Sequence, residues 1–220
     1  MNIEATEFLC TEEIVNSLKE KKEKMSRFFR KRESLGSVIG ISVSSNTFRA
    51  FQHMPKQPSV VYRNWAYKKM SDKDQINDIL ALRTQHDYDI WLKNFSVELG
   101  HHWENEMGKN YALTYGQQRK LPNLLMKRFC LYDEIKNEER LALIKLLHVP
   151  LEKFTLLAIR KCIHEFPEAK IVGRIPTNPS MSFIVSEQMY DAIQSVFRII
   201  TEQAGVPLIY LDILAWDESH

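Results

Sequence analysis

Tyr111–Phe129 reads YALTYGQQRKLPNLLMKRF, and Leu143–Ile163 reads LIKLLHVPLEKFTLLAIRKCI. Apolar residues recur at helical spacing through both, so two packed helical segments are expected, joined by an acidic and basic connection. Within the first, Leu113-Thr114-Tyr115-Gly116-Gln117-Gln118 reads as a helix, a glycine turn and the start of a second helix. Pro122 supports that boundary, because proline is tolerated only in a helix's first turn. Within the second, Val149-Pro150 breaks the chain and Glu152 falls in the first turn of the next helix. Lys120 and Glu152 are 32 residues apart, each at a helix N-terminus behind a turn. An amine and a carboxylate so placed can face one another across a cleft.

Each position carries two readings. The positive end of a helix dipole favours an uncharged amine, the form a lysine nucleophile needs; Lys120 taken alone reads first as a surface lysine beside Arg119. A carboxylate at a helix start is favoured electrostatically whatever else it does, so Glu152 alone reads as a dipole partner or a surface ion pair. The glycine turn exposes backbone N–H groups at a positive dipole end, which suits a phosphate. A third pair, Asp212 and Trp216, lies four residues apart near the end of the apolar segment VPLIYLDILAW. On a helix they share a face, where an acceptor and an aromatic plate can grip a planar base; Trp216 by itself is a packing anchor.

Outward from this region, helix dominates. Thr11 is placed to cap a helix bearing Ile14, Val15, Leu18, Met25, Phe28 and Phe29, with Gly36 as its end. Its basic stretch, Lys19 to Arg32, is interrupted by Glu20 and Glu23 and reads either as a solvated face or as a phosphate-contacting one. SVIGISVSSNTFRAF, over 38–51, is expected to form a short β-hairpin around Ser44-Ser45-Asn46. Residues 74–106 return to the helical period, with a break expected at Gly100. Trp65, Trp91 and Trp103 are read as core; His101 and His102, being adjacent, point apart on a helix and make a poor metal pair. After 163 an irregular, proline-framed connection leads to a long helix from about 186 to 204, capped by Gly205, with short strands possible only near 170–185.

Composition bounds the function class. A chain of 220 residues with 44% hydrophobic content buries a substantial core, and a net charge of +2 leaves any nucleic-acid contact to a local basic patch. Cys10, Cys130 and Cys162 fit neither a zinc pattern nor a disulfide framework, which points to a reducing cytoplasm. The acidic opening MNIEATEF is not a secretion signal, and no apolar run approaches a membrane span.

The glycine turn with its lysine, followed by a proline-x-acid helix start, resembles the helix-hairpin-helix DNA glycosylase superfamily. The spacing of 32 is most similar to the archaeal-type 8-oxoguanine DNA glycosylase branch, as is the closing PLIYLDILAW. The likeness covers about residues 111–163 and 186–216, roughly a third of the chain. Two departures stand out: the turn is GQQRK, without a second glycine, and Glu152 occupies the place of the family's aspartate.

The resemblance implies a mainly α fold, with two helical lobes around a cleft. Residues 1–70 would form an N-terminal helix plus hairpin extension, and 71–220 the glycosylase-like core of a single unit. It further implies a monomer that binds double-stranded DNA containing a modified base, without cofactor, metal or membrane. The target nucleotide flips into a pocket. Lys120 attacks C1′, with strand cleavage by β-elimination as a possible sequel, and Glu152 accepts the amine proton or stabilises charge on the sugar. Asp212 and Trp216 bind the base, while Gly116, Gln117, Gln118 and Arg119 contact the DNA. The base is oxidised guanine or another modification, in repair or in defence against modified viral DNA. A reading from another class is a non-catalytic helical module binding DNA or a protein through its basic N-terminal helix; a nuclease lacks the acidic metal pair it would need. The first requires Lys120 and Glu152 to converge, whereas the second is indifferent to both.

Overall fold

Burial decides where this chain is helical, and it does so against local preference between residues 35 and 48. The computed structural model describes residues 7–51 and 53–217. Helix α1 spans Thr11–Glu20, α2 Lys22–Phe28, α3 Leu35–Ser42 and α4 Ser45–Phe48, with a 3₁₀ turn over Arg49–Phe51. Then come α5 (Pro58–Met70), α6 (Lys73–Ala81), α7 (Gln85–Met107), α8 (Tyr115–Phe129), α9 (Asn137–Leu146), α10 (Lys153–Ile159), α11 (Glu187–Ala204) and α12 (Tyr210–Asp217). The fold is mainly α, and no strand occurs among the described residues.

The hairpin expected over 38–51 is therefore corrected to helix. Ser34 caps α3 by accepting from the Ser37 amide, and Val38 and Ile39 are buried where α3 packs on α8. β-Branched residues lose little by being helical when the helix face they share is buried, so packing outweighs propensity here. Gly36 lies in the first turn of α3 instead of ending the basic helix. That helix ends at Phe28, and the chain turns at Glu33, whose backbone pairs with Leu131 and Asp133 in an isolated parallel bridge. Gly100 is interior to an unbroken α7; the break falls at 82–84, where Thr84 caps the new helix through the Asp87 amide. Cys10, not Thr11, occupies the cap position of α1. Nothing strand-like forms near 170–185, which holds short 3₁₀ turns. Gly205 ends α11 as expected, in the left-handed conformation at φ 65°.

Apolar side chains from Phe8 to Ala215 form one continuous buried cluster, with Trp65, Trp103, Tyr62, Phe129 and Phe197 at its centre. Each such large side chain contributes on the order of 1.5–3 kcal/mol by leaving water. Residues 7–51 contribute to this cluster throughout, and α3 packs directly on α8. No helix among the described residues is long and apolar enough to cross a membrane.

Two polar clamps fix the connection that delivers Glu152. Gln194 of α11 embraces Val149, accepting from its amide at 3.1 Å and donating to its carbonyl at 2.7 Å. His148, 3% exposed, bonds Tyr190 Oη through Nδ1 at 3.0 Å and Asp89 through Nε2 at 2.8 Å. Asn123 of α8 donates to the same Tyr190 oxygen at 2.8 Å. A neutral imidazole carrying its proton on Nε2 satisfies both partners, since Asp89 then accepts and Tyr190 donates. Burial holds the His148 pKa below its ordinary 6.5, against the pull of Asp89 in the other direction.

A depressed histidine pKa means that the unfolded chain binds the proton more tightly. Stability is then fully present above about pH 6.5 and falls as the pH drops from there toward the folded value. We expect urea-unfolding free energy to decline between pH 7 and 5 more steeply in the wild type than in His148→Gln. Asp89, whose carboxyl is held low by its hydrogen bonds from His148 and Gln85, releases its contribution only in more acid solution. A second expectation concerns α8. A Cβ on Gly116 would meet the Met181 carbonyl oxygen at 1.9 Å, whereas one on Gly100 would meet only the flexible amide of Gln118, at 2.9 Å. Gly116→Ala should cost about 1–3 kcal/mol and Gly100→Ala under about 1 kcal/mol, read from denaturant midpoints.

Candidate functional site

Helix α8 is the spine of the site. Thr114 caps it with a reciprocal box, the Gln117 side chain accepting from the Thr114 amide at 2.8 Å. Because the helix starts at Tyr115, Pro122 lies in its interior and Lys120 in its second turn. The expected helix–turn–helix around Gly116 is thus one helix with a tight start, and Lys120 stands beyond the first turn, where the dipole acts. Seven residues further on the same face, about 10 Å along the axis, comes Lys127.

Each lysine meets a carboxylate from a different element. Glu152, at the N-cap of α10, approaches Lys120 Nζ with Oε2 at 2.5 Å. Its Oε1 accepts from Trp216 Nε1 of α12, also at 2.5 Å. The Glu152 amide donates to Thr155 Oγ1, fixing the cap. Lys127 reaches Asp212 Oδ2 of α12 at 2.5 Å. Lys120, Glu152 and Asp212 are 5, 7 and 0% exposed. Burial pushes the Asp212 carboxyl above its ordinary range, Lys127 opposes that, and the nearby Glu152 adds to it. Asp212 Oδ1 has no hydrogen-bond partner among the described residues.

Lys120, Lys127, Glu152 and Trp216 line two adjoining chambers of one cleft. The first, ≈ 450 Å³, is lined by Phe28, Ile41, Leu124, Lys127, Arg128 and Ile213. The second, ≈ 560 Å³, is lined by Lys120, Arg49, Lys153, Phe154, Asn178 and Ser180. Glu152, Trp216, Ser44 and Thr47 border both. The Phe154 ring packs against Trp216 at a tilt of 56°, centroids 4.9 Å apart, and Lys127 Nζ sits 4.8 Å from the centre of the Phe28 ring. An ammonium over an aromatic face is favoured there by the ring quadrupole.

The residues expected to contact DNA around the turn are placed differently. The Gly116 amide donates to the Ile184 carbonyl at 3.0 Å, and the Gln117 and Gln118 amides to Thr114. The Gln118 side chain donates to the Leu113 carbonyl. Arg119 is 4% exposed, its guanidinium 4.5 Å from the Tyr190 ring centre. These groups face protein, so the phosphate grip anticipated at this turn is not carried forward. Asp212 likewise lines neither chamber and reaches the cleft only through Lys127.

Sequence reasoning passed over Lys127, Phe28 and the Ser44–Arg49 wall. The seven-residue offset from Lys120 was a signal for Lys127, since it repeats a helix face. Phe28 and the wall carried none; they arrive through packing of α2, α3 and α4. Among the basic N-terminal residues, Arg27 and Arg30 pair with Glu23, and Lys22 donates to the Gly205 carbonyl. Comparison of the chain with protein-family models, with curated proteins and with solved structures finds no match in any of the three.

Removing one partner of a buried ion pair strands the other charge. Glu152→Ala should therefore destabilise the protein by about 3–5 kcal/mol. The double change Lys120→Met with Glu152→Gln should recover more than half of that loss in equilibrium unfolding, because no buried charge is left unmatched.

Proposed function

We propose that this chain is a DNA N-glycosylase with lyase capacity, acting on a modified base in duplex DNA. One observation carries the reading. Two residues 32 positions apart, on separate helices, meet at 2.5 Å in the wall of a cleft large enough for a nucleotide. A binding module has no need of that convergence, and a buried lysine–carboxylate pair is a poor investment in stability alone.

The chemistry follows from the geometry. Proton transfer from Lys120 Nζ to Glu152 Oε2 leaves an amine with a lone pair, and the amine attacks C1′ of a flipped nucleotide. The C1′–N bond to the base breaks, and the base departs with the bonding electrons, taking up a proton. Ring opening of the aminal gives a Schiff base between C1′ and Nζ, from which β-elimination cleaves the strand. The base occupies the first chamber, beside Phe28 and Leu124, with Lys127 as hydrogen-bond donor to it. Asp212 serves there as the partner that orients Lys127, a role one step removed from direct base contact. Trp216 both holds Glu152 and borders the base chamber. Oxidised guanine and bulkier modified bases, such as those of viral DNA, are the substrate classes to test first.

Duplexes carrying a panel of modified bases, incubated with the protein and reduced with borohydride, should yield a covalent protein–DNA adduct. Lys120→Gln should abolish the adduct, and Glu152→Gln should slow its formation by about 10²-fold or more, the scale expected for a lost general base. Alkali-labile abasic sites without an adduct would overturn the lysine nucleophile in favour of water; neither signal on any base would overturn the glycosylase itself.

A further inference from the structure

The two chambers divide the reacting lysine from the second one. Lys120 lines only the second chamber and Lys127 only the first, with Glu152 and Trp216 between them. If the sugar lies against Lys120, as the glycosylase reading on which this step rests requires, the sugar sits in the second chamber. A flipped nucleotide stays attached to its strand through two phosphodiesters, so anionic oxygens must lie in or beside the same space.

The second chamber is built to receive them. Arg49 opens the 3₁₀ turn after α4 and Lys153 opens α10; both are exposed and both line the chamber. Neither is paired with a carboxylate among the described residues. Among the described residues the single carboxylate lining the chamber is Glu152, already committed to Lys120 and Trp216. Neutral donors, Thr47, Asn178 and Ser180, complete the wall. Two cations from different elements, without a carboxylate partner among the described residues, line the same chamber as the reacting amine and form a localised positive site in a chain of net charge +2.

We propose that Arg49 and Lys153 are the DNA-backbone clamp, binding the phosphates on either side of the flipped nucleotide. This places the phosphate contact on the 3₁₀ turn after α4 and the start of α10, away from the glycine turn of α8. It also gives the α3–α4 segment a role in substrate binding. Such contacts carry no sequence information; they fix register and supply salt-dependent affinity.

The test uses a labelled duplex with a tetrahydrofuran abasic analogue, which has no base to displace and forms no Schiff base. Binding is followed by fluorescence anisotropy across a salt series. Arg49→Gln and Lys153→Gln should each weaken binding about three- to tenfold near 50 mM salt and lower the slope of log affinity against log salt by about one. The double variant should lose about two. Arg49→Lys should keep the wild-type slope, and Lys73→Gln, which lies outside the cleft, should change nothing. Unchanged affinity and slope in the double variant would overturn the clamp. Borohydride trapping reads the chemistry separately. A slope lost in the double variant, with no adduct from wild type on any base, keeps the phosphate site and removes the glycosylase. An adduct from wild type with full DNA affinity in the double variant keeps the glycosylase and removes the clamp.

Discussion

A lysine and a glutamate share a proton's width of space beneath the surface of this protein, and the surrounding architecture answers to that contact. Lys120 and Glu152 are almost entirely withdrawn from water, where each charge alone would cost several kcal/mol. Their attraction offsets that cost only if the geometry is held closely, and the holding is spread across the chain. Gln194 of α11 grips Val149, the His148–Tyr190–Asn123 chain ties the same connection to α8, and Trp216 of α12 secures the second carboxylate oxygen. Three helices distant in sequence, α8, α11 and α12, thus hold the acid or the segment that delivers it. The second pair, Lys127 with Asp212, repeats the arrangement two turns along α8 and draws α12 onto the same face.

Much of this was legible in the sequence, and the failures have identifiable physical causes. Long stretches with a clean helical period, such as 187–204 with Ser186 before and Gly205 after, are found where the pattern put them. Lys120 and Glu152 were singled out from the glycine turn with Pro122 and from the Val149-Pro150 break; Glu152 does stand at a helix start, whereas Lys120 lies in the second turn of α8. Residues 38–51 misled because Val and Ile prefer strands in isolation, while here one helical face of them is buried against α8. Pro122 misled in the opposite sense. Proline is costly inside a helix, yet α8 continues through it because the helix is packed on several sides. Glycine misled at 36 and 100, where it permits close packing and does not punctuate. Arg119 read as a DNA contact because it lies beside Lys120; on a helix, adjacent residues face different ways, and the neighbour of an inward lysine turned out to be buried on another side.

The division of labour between the two lysines follows from their partners. Glu152 has both oxygens engaged, one by an ammonium and one by an indole N–H, so its charge is matched and its orientation fixed. Asp212 has one oxygen bound and the other buried without a donor among the described residues, and burial drives its carboxyl toward the neutral form. An acid in that condition is a reservoir of unmet hydrogen-bonding capacity beside the cleft. The two carboxylates are thus held differently, Glu152 through both oxygens and Asp212 through one.

The added methylene of Glu152 relative to an aspartate also acquires a reason from the geometry. The residue occupies an N-cap, a position where a shorter acid typically folds back to bond its own helix's amides. Here Thr155 Oγ1 accepts from the Glu152 amide, and the carboxylate oxygens reach Lys120 and Trp216. The longer side chain spans to Lys120 on α8 and Trp216 on α12 at once, a reach that a cap-bound aspartate would forgo.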